Sequence, residues 1–221
     1  MIKIGVVSVT TSALIPIDKY LKENCPQFSL VHYLDAGLQL KVRAEGGLNE
    51  SSIERMVRLL ETVHSDKVDA ILLTCTVFSP LLGRLQSLFP ETPIVAADKA
   101  MIIEAVNKGR DIALIHTFES SWDSSMELLT QENSRQSKTV GMKSFFAKGA
   151  FEAMSKGDRN LHDKLVNEQI EKAEDEGFST IVLSQMSIAH LARESRNKGA
   201  VILSSPESAA RTLVESLSIE K

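Results

Sequence analysis

The chain has 221 residues, with Lys+Arg 25 against Asp+Glu 29 and a net charge of -4. That length suits one large domain or two small ones sharing an interface, with a core ample to fold without disulfides. The slight acidity, with no basic stripe carrying interleaved aromatics, argues against nucleic acid as a partner, and no apolar run approaches the roughly 20 residues of a membrane span.

Ile2 to Val9 reads as a strand of β-branched residues that begins at once, leaving no room for a signal peptide, so a cytoplasmic protein is expected. Thr10-Thr11-Ser12 ends it with hydroxyls before an amphipathic helix that runs to about Glu23. Cys25 falls in the polar turn after that helix and is read as incidental, since two cysteines in such a chain are no disulfide framework. Phe28 to Leu34 is the next strand, followed by a loop with Gly37, Gly46 and Gly47. A helix then opens at Asn49-Glu50-Ser51-Ser52, with apolar residues at Ile53, Met56, Val57, Leu60 and Val63.

The stretch Asp69 to Pro80 organises the rest. Ala70 to Leu73 is an apolar run suited to a strand buried on both faces of a parallel sheet. Cys75 stands where it ends, and Ser79 and Pro80 offer an N-cap and a first helical turn, so a helix is predicted over Phe78 to Phe89. Open α/β sheets place their ligands at such strand ends. An unperturbed thiol has a pKa of about 8.5, and a helix amino end lowering it by about 1.5 units makes half of it thiolate at neutral pH. A short strand, Pro93 to Ala97, and a helix from Asp98 to Asn107 complete this half, with Asp98 read as a helix cap.

From Asp111 the same order begins again. Ile112 to Thr117 is a strand, Glu119-Ser120-Ser121 a polar turn, and Trp122 to about Asn133 a helix. Val140 to Ala147 matches Phe28 to Leu34, Asp158 to Glu176 matches the Glu50 helix, Ser179 to Gln185 matches Asp69 to Cys75, and Ala200 to Ser204 matches Pro93 to Ala97. The steady spacing argues for duplication of one α/β unit. The expected fold class is therefore α/β, with two pseudo-symmetric flavodoxin-like parallel-sheet domains and the site in the cleft between them. Residues 1–98 with 205–221 form the expected first lobe, and 99–204 the second.

The strand ends supply Ser8, Thr10, Thr11, Ser12, Cys75, Thr76 and Asp98 in the first half, and His116, Thr117, Ser184, Gln185, Ser187, Ser204 and Ser205 in the second. Paired carboxylates, a glycine-rich phosphate loop and His/Cys/Asp spacing for a metal are all missing from the sequence, which disfavours phosphoryl, nicotinamide and zinc enzymes. A hydroxyl-rich pocket with one thiol suits a small carboxylic acid and proton transfer at carbon.

Leu72-Leu73-Thr74-Cys75-Thr76-Val77-Phe78-Ser79 resembles the first cysteine motif of the aspartate/glutamate racemase superfamily, which also includes hydantoin racemases, maleate isomerases and arylmalonate decarboxylases. Ile181 to Ser187 is similar to the place of its second motif. The resemblance implies an enzyme without metal or organic cofactor, a homodimer, and two facing thiols, one per half, that take and return an α-proton. It also implies carboxylate binding by Thr76 and Ser187 and by the first loop, Thr10, Thr11 and Ser12; Val77, Thr117, Ser184 and Met186 are expected to line the substrate site beside them.

Two departures qualify it. Gln185 stands where the second cysteine belongs and neither accepts nor holds a proton near neutral pH; it is expected to hold a polar substituent of the substrate. Ser8 and Val9 end the first strand where glutamate racemases carry an acid. Four readings stay open: Cys75 as acid/base with His116 as the second group, a one-thiol decarboxylase or lyase, covalent addition by Cys75 to an unsaturated acid, and a carboxylate-binding protein without turnover.

Overall fold

The computed structural model describes residues 1–192, 195–197 and 199–218; positions 219–221 of the expected first lobe lie outside them. Two compact units are distinct, Met1–Ala100 completed by the chain from Pro206 onward, and Met101–Ser205.

In the first unit, strands β1 (Ile2–Ser8), β2 (Phe28–Leu34), β3 (Ala70–Leu73) and β4 (Ile94–Ala96) form a parallel sheet in the order β2-β1-β3-β4. This is the start of the flavodoxin-like strand order. Helices α1 (Thr11–Asn24), α2 (Ala36–Ala44), α3 (Glu50–Ser65), a 3-10 segment (Thr76–Leu81) and α4 (Leu82–Leu88) connect the strands, and α5 (Ala97–Asn107) begins in this unit and carries the chain into the second. Every residue of β3 is buried, as an apolar run covered on both faces requires. Val63 of α3 packs so close to β1 that a Cβ on Gly5 would lie 2.4 Å from its Cγ1, which is why that buried strand position carries no side chain.

Helix α2 occupies the stretch expected to be a loop. Asp35 caps it, accepting from Leu38 N at 3.1 Å, while both carboxylate oxygens receive the Arg55 guanidinium of α3 at 2.7 Å. Gly37 belongs to this arrangement, since a Cβ there would come within 2.7 Å of Arg55 Nη2. The glycine that suggested a loop thus makes room for the ion pair that anchors a helix. The expected Phe78 helix is divided instead into the 3-10 segment and α4, with Ser79 inside the turn rather than capping it.

The second unit repeats the sheet with β5 (Ile112–His116), β6 (Met142–Phe146), β7 (Thr180–Leu183) and β8 (Val201–Ser204), all parallel, in the order β6-β5-β7-β8. Its helices are α6 (Glu119–Gln136), α7 (Ala150–Ser155), α8 (Arg159–Asp175) and a 3-10 segment (Met186–Leu191); α9 (Ser205–Ser218) then carries the chain into the first unit. Helix α6 begins at Glu119, inside the expected polar turn. Strand registers align the units residue by residue: Val7 pairs with Tyr33 and Leu73 as Ile115 pairs with Phe145 and Leu183. Leu73 pairs with Ala96 as Leu183 pairs with Ser204. Cys75 and Gln185 thereby occupy equivalent positions.

Candidate functional site

In each unit the residue after the central strand ties that strand to its neighbour. Thr74 donates its N–H (3.0 Å) and hydroxyl (3.2 Å) to the Val7 carbonyl, and Ser184 does the same to Ile115 at 3.1 and 3.0 Å. Ser8 shares a buried hydroxyl contact of 2.8 Å with Thr74, so these two side chains bind the ends of β1 and β3 together. Cys75 and Gln185 then precede matching 3-10 turns, closed by Phe78 N to Cys75 O and Ile188 N to Gln185 O, both 3.1 Å.

The Cys75 side chain is half-buried at this turn. Burial pushes its thiol up to about 12, and the Asp98 charge adds to the effect, outweighing the amides of Val77 and Phe78 that pull downward. Desolvation thus opposes the lowering expected from the amide groups of the turn. Thr76 and Val77 are half-buried beside it, Val77 against the unit's apolar core. At the end of β1, extended Thr10 precedes α1, and Ser12 donates to its hydroxyl at 3.2 Å. Thr11 is exposed.

In the second unit Gln185 Oε1 accepts from Thr117 N at 2.7 Å and from the Thr117 hydroxyl at 3.0 Å. Two donors fix that atom as oxygen and turn the Nε2 hydrogens away from Thr117. Ser184 is buried, Ser187 half-buried, and Met186 is buried with its sulfur accepting from Ser205 at 3.7 Å.

His116 is buried at the end of β5. Its Nδ1 donates to the Phe118 carbonyl at 3.1 Å, which leaves Nε2 to accept from Ser144 at 2.8 Å. Its ring is stacked with Trp122 and Phe146, and burial pushes its pKa down. Both ring nitrogens at this end of β5 thus have hydrogen-bond partners within the second unit. His190 is exposed and binds Asp163 at 3.0 Å. Among the described residues no cluster of three or more His, Cys, Asp or Glu is arranged to hold a metal, and no helix is long and apolar enough to cross a membrane.

Asp98 and Ser79, both read from the sequence as helix caps, lie instead inside helical turns and contact each other. Asp98 lies in the first turn of α5, only 5% exposed, and Oδ1 accepts the Ser79 hydroxyl. Oδ2 is buried with no hydrogen-bond partner among the described residues. Desolvation pushes this carboxyl up to about 6, against the Ser79 hydroxyl, the amides of Asp98 and Lys99, and the Thr76 hydroxyl. The available signal was positional, because Asp98 follows β4 as Cys75 follows β3.

Duplicated four-stranded parallel sheets, with a polar turn after each central strand, define an α/β fold shared with solved racemases. An aspartate racemase from Picrophilus torridus superimposes with a TM-score of 0.72 at 12% identity, covering 99% of this chain and 95% of that one. Glutamate racemase from Francisella tularensis, solved with D-glutamate, gives 0.71 at 15% identity over 99% and 82% of the two chains. Allantoin racemase from Klebsiella pneumoniae gives 0.70 at 16% over 100% and 89%. The sequence matches no protein-family model and no curated protein.

Proposed function

We propose that this chain is a cofactor-independent enzyme of the racemase/isomerase type, acting at the α-carbon of a small carboxylic or amino acid with Cys75 as the single proton-transferring group. The observation that carries the reading is the Cys75 turn, where a thiol follows a fully buried central strand at the carboxyl edge of a parallel sheet. Thr10, Thr11, Ser12, Thr76, Val77, Thr117, Ser184, Met186 and Ser187 are proposed as carboxylate-binding positions. Gln185 is proposed to donate its Nε2 hydrogens to a substrate oxygen, because Thr117 already occupies its carbonyl.

A second reading has a specific observation in its favour. Burial pushes the Cys75 thiol toward its protonated form, that of a resting acid, and the equivalent position holds an amide that cannot serve as a base. That suits a decarboxylase or related lyase: the breaking carbon–carbon bond leaves its electron pair on the α-carbon as carbon dioxide departs. The S–H proton then forms the new C–H bond, and sulfur keeps its electrons until water reprotonates it.

Incubation of candidate amino acids and substituted malonates in heavy water tests both. Proton transfer by Cys75 places deuterium at the α-carbon, with carbon dioxide release marking the lyase, and the label disappears in Cys75→Ser. No label from any candidate, with ligand-dependent thermal stabilisation intact, leaves a binding protein.

A further inference from the structure

We propose that Asp98 is a positioning residue for the Cys75 thiol: its buried carboxylate, held by Ser79, sets the thiol's protonation from the neighbouring strand. The proposal rests on Cys75 being the reactive group, as above, but concerns the thiol's own titration.

Strand register supplies the geometry. Leu73 pairs with Ala96, so Cys75 and Asp98 stand two residues beyond adjacent strand ends, on one edge of one sheet. Ser79 links them, donating to Asp98 Oδ1 while its hydroxyl lies 3.4 Å from the Cys75 carbonyl. One carboxylate oxygen, Oδ2, is buried without a hydrogen-bond partner, and burial opposes the charge although hydroxyls and amides reach the group. The cost is understandable if the charge has work to do at its neighbour.

The second unit supplies the control. By the same registers Ala189 replaces Ser79 and Pro206 replaces Asp98, exactly where Gln185 replaces the cysteine. Acid, hydroxyl and thiol occur together at these positions in one unit, and none of the three stands at the matching positions of the other. The groups acting on the thiol are the Asp98 charge and the Val77 and Phe78 amides; Lys99 contributes its backbone N–H to Asp98. A nearby negative charge disfavours a thiolate, so the carboxylate keeps the proton on sulfur until a developing carbanion takes it.

The test is the pH dependence of Cys75 alkylation by iodoacetamide in the full chain, read by mass on the Cys75 peptide so that Cys25 is counted separately. Asp98→Asn, which keeps shape and removes charge, is expected to lower the midpoint by about one pH unit and speed alkylation about tenfold below it. Asp98→Glu is expected to hold the wild-type midpoint. An unchanged midpoint in folded Asp98→Asn overturns the proposal. Should Asp98→Asn fail to fold, carbon-13 labelling of cysteine Cβ in the wild-type protein decides. A step in the Cys75 resonance near pH 6, ahead of the thiol's own ionisation, supports the coupling, and a flat resonance through that range contradicts it. Failure of the exchange experiment alone removes the enzyme while leaving this titration as it is.

Discussion

The two turns at the sheet ends share a backbone and differ in chemistry. Thr74 and Ser184 make the same pair of bonds to Val7 and Ile115, and both turns close at 3.1 Å. Beyond that frame, one tip carries a thiol with a buried acid beside it, and the other a glutamine whose carbonyl is tied to Thr117. The comparison teaches that bonds holding strand ends together constrain the frame, while the residue one step beyond is free to change what the frame does.

The largest expected effect tests the tip. Cys75→Ser should reduce α-proton exchange by about 10²–10⁴-fold, the usual worth of a positioned acid or base, while its melting temperature stays close to that of the wild type. Equal loss of exchange and stability would make the residue structural. Next in size, Gln185→Glu keeps an oxygen for Thr117 but removes the Nε2 donors. A rise in KM of about tenfold, with kcat less changed, is expected if those donors hold a substrate oxygen, since a hydrogen bond to a charged group is worth about 1.5–3 kcal/mol.

The frame differs between units in one packed pair. By register Gly5 corresponds to Ala113, which shares a core cluster with Ala173 of α8, so the first unit has a bare strand position under Val63 where the second has a small side chain. Gly5→Ala should destabilise by about 1–3 kcal/mol through overpacking against Val63. Adding Val63→Ala should recover part of it, with non-additivity in a double-mutant cycle by chemical denaturation. Simple additivity would show that the two positions do not press on each other.

The smallest effect concerns pH. Asp98 has its folded pKa raised above the ordinary 3.8 to about 6, so the native state binds the proton more tightly than the unfolded chain. Its contribution is fully present below the unfolded pKa and is lost as pH rises through the folded value. Relative to Asp98→Asn, the wild-type melting temperature should therefore rise by a few degrees as pH falls from 7 to 4. A difference that is constant across that window would contradict the raised value.

Much of this frame was legible in the amino-acid order, because buried parallel strands such as Ala70 to Leu73 leave apolar runs and a duplicated unit leaves them twice. Helix α2 was not, since Gly37 signals a turn unless Arg55, far along the chain, is known to pass over it. Cys75 was found by its place after a strand, but its burial and the presence of Asp98 across a strand pair are not visible in the local sequence. His116 looked available because its residue type titrates near neutrality, whereas Phe118 and Ser144 take both nitrogens.

The most direct measurement is the rate of α-deuterium incorporation as Cys75 is progressively blocked by iodoacetamide, with the modified fraction read on the same sample. The account predicts a rate that falls in proportion to unmodified Cys75 and reaches zero with it, independent of Cys25. Exchange that persists when Cys75 is fully alkylated would show that another group moves the proton.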